Sequence, residues 1–160
     1  QTTEAAVFTD ESLDAYAFNT AYTGDNYGVS VTYGVVETST TNEDTYTAFN
    51  AYYLPEGSNL PSLSVGYEIG DIGGAAATVD EKTSFMVGLS WDEVGPGSAG
   101  IALGHSSTVE GSDEEYQYEA YYSYPINDGM TITPLIYSKD NVTSGADDTT
   151  GVMVKTSFSF

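Results

Sequence analysis

Apolar and polar residues alternate with a period of two along most of this chain, and this pattern restricts it to β structure. In residues 27–36, large side chains such as Tyr27 and Val29 alternate with small ones such as Gly28 and Ser30. Because successive side chains of a strand point to opposite faces, the large residues share one face of a sheet. The alternation predicts nine strands, at residues 13–22, 27–36, 45–54, 63–70, 82–91, 100–107, 115–124, 130–138 and 152–160.

Clusters of turn-forming residues separate these strands and favour an antiparallel meander. Residues 13–160 are therefore predicted to form an all-β meander of nine to ten strands, a segment of an antiparallel β-barrel. Residues 1–12 are interpreted as a tail or as the end of an additional strand, at residues 3–8. Pro134 removes a backbone donor within the eighth strand, so we expect a bulge or a sheet edge there.

The connections between the strands alternate in kind. Segments 23–26, 55–62, 92–99 and 125–129 are mostly compact and rich in Pro and Gly, whereas segments 37–44, 71–81, 109–114 and 139–150 are mostly longer and acidic or rich in Thr and Ser. Outer-membrane barrels have short periplasmic turns and longer extracellular loops. The alternation therefore favours a transmembrane β-barrel.

The distribution of charge supports the same interpretation. The chain has 24 acidic and 3 basic residues, a formal net charge of −21 and no Cys. Such a chain repels phosphate backbones, which excludes a nucleic-acid partner, and it forms neither a disulfide nor a thiolate metal site. Of the acidic residues, only Asp14, Glu68, Glu115 and Glu119 fall inside the predicted strands. The apolar face of the five clearest strands carries no charge.

Two architectures share this alternation. In a soluble sandwich or barrel the apolar face is the core, whereas in a membrane barrel it meets lipid and the small, polar face lines a wet lumen. Aromatic residues near the strand ends favour the membrane barrel, because aromatic girdles mark both membrane interfaces. The residues predicted to face lipid or to form a girdle are Tyr33, Trp91, Tyr116, Tyr124, Phe158 and Phe160.

The number of strands points to a larger barrel. Nine strands that end at Phe160 begin on the side of the long loops, whereas bacterial single-chain barrels have an even number of strands. Either residues 3–8 supply a tenth strand, or the chain is the C-terminal part of a barrel of roughly sixteen strands, a size that leaves an aqueous channel.

The final segment, Gly151-Val-Met-Val-Lys-Thr-Ser-Phe-Ser-Phe160, resembles the closing strand of outer-membrane proteins, whose terminal Phe the barrel-assembly machinery reads. With residues 85–91, 115–124 and 128–137, it resembles the C-terminal barrel of cyanobacterial outer-membrane porins, relatives of the carbohydrate-selective (OprB-type) porins. The resemblance covers residues 80–160 well and the earlier half loosely. It implies a trimeric channel of roughly sixteen strands in the bacterial outer membrane, surrounded by lipid and lipopolysaccharide.

Two features that could signal an enzyme have structural explanations. Residues 95–100 match the dinucleotide fingerprint G-x-G-x-x-G, but a strand and not a helix follows them, so we expect a turn. His105 is the only His, and adjacent strand residues such as Ser106 point to the opposite face, so a pore-lining or girdle position is expected. The chain is predicted to be no enzyme and to need no cofactor.

Polar residues on the small face are the predicted pore lining: Glu68, Glu115, Gln117, Glu119 and Lys155. Glu115 and Glu119 lie four residues apart on one predicted strand, which separates them by about 13–14 Å, too far for a catalytic carboxylate pair. We interpret them as an acidic track that favours cations, and we expect Lys155 to pair with one of these carboxylates.

The predicted outer loops supply weak calcium-ligand candidates in Asp113, Glu114, Asp147 and Asp148. Calcium takes about six to eight oxygen ligands, and none of these loops has the ligand spacing of an EF-hand. Solvated charge is the preferred interpretation, and a Ca²⁺ site is the alternative.

Two functions of different class remain. The first is passive diffusion of small hydrophilic solutes, sugars or cations, through an outer-membrane porin. The second is a structural or adhesive role for an acidic, Tyr-rich β-protein of the cell surface, whose exposed strand edges could build fibres. Solubility without detergent separates the two, because a lipid-facing aromatic surface aggregates in water.

Overall fold

A computed structural model describes residues 13–39, 41–57, 59–74, 79–143 and 146–159. They form one antiparallel sheet in which each strand is hydrogen-bonded to the next along the chain. The strands are β1 (Ala15–Thr23), β2 (Tyr27–Ser39), β3 (Asn42–Tyr53), β4 (Ser62–Asp71), β5 (Glu81–Val94), β6 (Gly97–Val109), β7 (Tyr116–Asn127), β8 (Met130–Lys139) and β9 (Thr149–Phe158). The all-β meander of nine strands is confirmed, and the sheet is open within these residues. The predicted tail at residues 1–12, and Phe160, lie outside the described residues.

Several strands extend further than the alternation indicated. β2 continues to Ser39 and β3 begins at Asn42, so the long loop predicted at residues 37–44 is wrong and this connection is a tight hairpin. Glu37 is paired with Glu43. The backbone ladder therefore continues beyond the last apolar side chains, which is why the alternation underestimated the strand lengths. The contrast between compact turns and long loops is consequently weaker than expected.

The connection between β5 and β6 consists of Gly95 and Pro96 alone. Gly95 has a φ of +62°, a conformation that a residue with a side chain rarely adopts. Glycine at the first central position of a two-residue hairpin is the preference of a type II′ turn, whose twist matches that of the flanking strands. The G-x-G-x-x-G match is therefore a turn that leads into a strand, as expected.

Pro134 lies inside β8, and neither the bulge nor the sheet edge expected there is found, because β8 is paired on both sides. Pro134 pairs with Val154 of β9 without a shift in register. Towards β7 the paired residues stop at Leu135 and resume at Ile132, again in unchanged register. Because proline has no N–H to donate, it leaves a gap in one ladder and does not displace the strand.

The sheet is a single layer without a packed core. Val35, which is 2% exposed, is the only buried hydrophobic residue among those described, while Phe18 and Val152 are 70% and 74% exposed. A sheet with an apolar face is stable only when another surface covers that face. The described residues contain no helix long and apolar enough to cross a membrane.

The strands are inclined to the line of their turns. One row of directly paired residues runs across seven strands through Tyr27, Tyr53, Leu63, Leu89, Ile101, Ala120 and Ile136. Tyr27 is the first residue of β2, whereas Ile136 is the seventh of β8, so the turns advance by one residue per strand. With a rise of about 3.3 Å per residue and about 4.8 Å between strands, the inclination is about 35°. Strands in barrels are tilted by about 35–45°.

Candidate functional site

The register divides the strand residues into two faces of different chemistry. The face that carries the row of Tyr27 and Leu63 is called the apolar face here, and the opposite one the polar face. Members of the apolar face include Tyr22, Val31, Tyr33, Phe49, Val65, Tyr67, Val87, Leu103, Tyr118 and Val154. Most of the exposed large hydrophobic residues, among them Phe18, Tyr67 and Tyr118, belong to this face.

Charged residues on the apolar face lie only at strand ends. On the loop side they are Glu37, Glu43, Asp71 and Glu81, each within two residues of the end of its strand. Between the strand ends the described part of this face has no charged side chain. The face is therefore an uncharged apolar band with an acidic border.

The sequence-predicted girdle residues that the structure describes all lie on the apolar face. Tyr116 and Phe158 stand at strand ends, Trp91 and Tyr124 stand three residues from them, and Tyr33 lies near the middle of β2. These five residues therefore share one face of the sheet, and their role as a girdle stays a prediction.

His105 also lies on the apolar face, and so it is not a pore-lining residue of the polar face. Its ring makes edge contacts with Phe85 and Tyr116, at centroid distances of 4.9 and 5.8 Å. Nδ1 lies 2.9 Å from the carbonyl oxygen of Ser106. His105 is thus packed between two aromatic rings and is 9% exposed, and a girdle position stays a prediction for it.

On the polar face, tyrosine rings lie over glycines of the neighbouring strand. Four tyrosines are each paired in register with a glycine: Tyr52 with Gly28, Tyr46 with Gly70, Tyr121 with Gly100 and Tyr137 with Gly151. A Cβ built on Gly28, Gly100 or Gly151 would overlap the ring of its partner. The absence of a side chain at these glycines therefore leaves room for the rings.

Four of the five predicted pore-lining residues lie on the polar face: Glu68, Gln117, Glu119 and Lys155. Glu115 does not, because β7 begins one residue after it. Glu115 instead forms an ion pair with Lys139, in which the ammonium nitrogen lies 2.8 Å from the carboxylate oxygen Oε2. This contact was missed because Lys139 was assigned to a loop, although it is the last residue of β8.

The ion pair predicted for Lys155 does not form among the described residues. Lys155 is paired in register with Thr133, whereas Glu119 is paired with Tyr137, four residues further along β8. Four residues of a strand span about 13 Å, beyond the reach of an ion pair. Lys155 is an exposed cation on the polar face.

A buried ionic cluster at the loop end of the polar face was not predicted from the sequence. The ammonium of Lys82 lies 3.2 Å from the carboxylate of Asp44 and 2.8 Å from the hydroxyl of Tyr46. That hydroxyl donates to Asp44 at 3.0 Å, and the backbone N–H of Gly73 donates to the other carboxylate oxygen at 3.1 Å. Asp44 is only 6% exposed, and these three contacts stabilise its negative charge.

The four calcium-ligand candidates lie in two loops on the same side of the sheet, Asp113 and Glu114 after β6 and Asp147 and Asp148 before β9. The described residues contain no group of three or more acidic or His side chains that could hold a metal ion. Asp148 instead accepts a hydrogen bond from the backbone N–H of Asn141 at 3.0 Å. The structure therefore brings together no calcium site in the described loops.

Comparisons with protein-family models, with curated proteins and with solved structures give no match to this chain. The functional interpretation therefore depends on the two faces and on their chemistry.

Proposed function

We propose that this sheet is part of the wall of a bacterial outer-membrane porin, through which small hydrophilic solutes and ions diffuse without any catalysed reaction. One observation carries the proposal: a single-layer sheet has an exposed apolar face that is uncharged between its strand ends, and a polar face that carries the charges. Lipid is the covering that suits the first face, and water suits the second.

The exposure of the apolar face favours a location in a membrane over a location in water, on energetic grounds. Soluble monomers rarely expose contiguous apolar patches larger than a few hundred Å². Here exposed aromatic and aliphatic side chains extend from Phe18 on β1 to Phe158 on β9. In lipid these side chains are in a compatible solvent, and the paired strands satisfy the backbone groups that a bilayer cannot.

Strand length and inclination agree with a crossing of the bilayer. The strands have 9 to 14 residues, and a tilted membrane strand needs roughly 9–11. The longer strands place their acidic ends, such as Glu37 and Glu81, beyond the apolar band. The loop side then faces the outside, where lipopolysaccharide lies.

The charges of the polar face predict a preference for cations. On this face Asp44 is compensated by Lys82, and Lys139 is compensated by Glu115, which precedes β7, whereas Glu68 and Glu119 form no ion pair among the described residues. Lys155 is the one uncompensated cation on the described part of this face. Two carboxylates against one ammonium leave a net negative wall, which attracts cations to the lumen.

The remaining parts of the proposal follow from the resemblance to cyanobacterial porins. They are a closed barrel of roughly sixteen strands, to which this sheet would contribute the C-terminal part, and a homotrimer. Recognition of Phe160 by the barrel-assembly machinery belongs to the same proposal.

The test is electrical. The protein, extracted from its source membrane in mild detergent, is incorporated into planar lipid bilayers, and the reversal potential is measured in a KCl gradient. We expect stepwise conductance with cation preference, and a smaller preference when both Glu68→Gln and Glu119→Gln are present. A protein that stays soluble without detergent and never conducts would overturn the proposal. The acidic surface protein would then be favoured, since β1 and β9 leave open edges to which further strands can add.

A further inference from the structure

A groove of about 620 Å³ lies beside β6 on the polar face. Ala102 and Gly104 form part of its floor, and Met86, Gln117 and Glu119 line it from the neighbouring strands. The floor is low because Gly104 has no space for a side chain: a Cβ there would overlap the carbonyl oxygen of Phe85. Backbone packing from the other strand therefore maintains the depression.

Glu119 gives this groove an uncompensated negative charge. It is exposed, and among the described residues it forms neither an ion pair nor a hydrogen bond. The ammonium of Lys139, which also lines the groove, is already 2.8 Å from Glu115. The three charges therefore sum to one negative charge, which a monovalent cation would balance.

An aromatic residue lines the same groove as this carboxylate. Tyr137 is paired directly with Glu119 in register and lines the same groove. Its ring leans towards β9, over Gly151, where a Cβ would overlap the ring, so the ring borders the groove on the side away from β7. A groove with a carboxylate on one side and an aromatic ring on the other suits an organic ammonium ion, because the carboxylate balances the charge and the ring offers an apolar surface to the carbon atoms.

The polar and apolar parts of the groove together define the ligand class. We propose that it binds a small organic monocation, with the ammonium group at Glu119 and the carbon body against Tyr137, Met86 and the floor at Ala102. An inorganic cation has no carbon body with which to contact these side chains. The inference rests on the proposed function, because the groove meets solutes only if the polar face lines a lumen.

Choline is the probe, applied to the purified full-length protein in planar bilayers. We expect it to reduce the potassium current in a saturable way. Glu119→Gln, which keeps the shape of an exposed side chain, should raise the half-blocking concentration about tenfold, a change of about 1.4 kcal/mol. Tyr137→Ala should raise it about threefold, because the carbon body of choline loses its contact with the ring.

Glu68→Gln is the matched control. Glu68 is another uncompensated carboxylate of the polar face, but it does not line the groove that contains Glu119 and Tyr137. It should leave the half-blocking concentration unchanged while reducing cation preference. A channel that conducts but ignores choline, or that responds equally to both substitutions, overturns the inference and leaves the proposed function intact.

Failure of the proposed function gives a different result. If the protein forms no channel, choline binding to the same preparation is measured by calorimetry. Binding heat that is lost in Glu119→Gln would support the binding site and contradict the porin. If no heat depends on Glu119, both the binding site and the porin are contradicted.

Discussion

Lys82 and Asp44 lie 3.2 Å apart although 38 residues and an intervening strand separate them. Gly70 makes this contact possible. It stands between Tyr46 and Lys82 in one row, and a Cβ there would lie 3.0 Å from side-chain atoms of both. Because Gly70 has no side chain, the ammonium of Lys82 reaches across β4 and also lies 4.7 Å from the centre of the Tyr46 ring.

Asp44→Ala should destabilise the sheet at its loop end. The substitution removes the partner of a partly buried ammonium and the acceptor of the Gly73 N–H, so we expect the free energy of unfolding to fall by about 1.5–3 kcal/mol. Urea unfolding of the protein folded into phospholipid vesicles measures this change. Asp92→Ala, at an exposed end of β5, is the control, and equal losses for the two variants would contradict the role of the cluster.

Gly100→Ala should destabilise the protein because the new methyl group overlaps the ring of Tyr121. The ring must leave its rotamer or the strands must shift, at a cost of about 1–3 kcal/mol. Gly88→Ala is the matched control on the same face, since its nearest atom, the carbonyl oxygen of Ile101, is 4.0 Å away. We expect Gly88→Ala to be tolerated in the same unfolding experiment. Similar losses of unfolding free energy for the two variants would mean that the pairing of glycine with tyrosine makes no specific contribution to stability.

Val65→Arg and the neighbouring Ser64→Arg test the assignment of the two faces. Val65 lies on the apolar face and Ser64 on the polar face of the same strand. If lipid covers the apolar face, arginine at Val65 should cost about 2–4 kcal/mol near the bilayer midplane. Arginine at Ser64 should fold normally and shift ion selectivity towards anions. The yield of folded protein in vesicles measures the first effect. A lower yield for Ser64→Arg than for Val65→Arg would mean that the polar face, and not the apolar face, meets lipid.

Calcium should have no effect on stability. Asp113 and Asp147 lie in separate loops that form no metal-binding group among the described residues. We expect addition of a calcium chelator, or Asn at both positions, to change the free energy of unfolding by less than about 0.5 kcal/mol, the usual range for surface substitutions. If removal of calcium lowers the unfolding free energy of the unsubstituted protein by more than this, but not that of the Asn variant, the loops do bind calcium.

Much of the fold was accessible from the sequence, because strand faces follow directly from a period of two. Val65 and Ser64 could be assigned to opposite faces without knowledge of their neighbours. The strand ends were less accessible. Glu37 and Glu43 are polar and interrupt the apolar pattern, yet their backbones still pair, because ladder hydrogen bonds do not depend on side-chain polarity.

The candidate site was predicted only in part for a related reason. Glu119 and Gln117 were recognised because they are polar residues on a small face. Two features depend on which residues stand opposite each other: the pairing of Glu115 with Lys139, and the absence of an ion-pair partner for Lys155 among the described residues. Register is set by turn geometry and by the length of each connection, and neither was predictable to one residue.

The sequence by itself determined that this chain is a β meander with an apolar face and a polar face, since side-chain alternation is a local property of a strand. Only the tertiary structure decided that Lys82 meets Asp44, that Tyr137 lies over Gly151 and that Glu119 stands uncompensated beside a groove. These contacts join residues distant in the chain. They exist because the register places particular residues opposite each other, and because glycines in that register leave space for large side chains to cross.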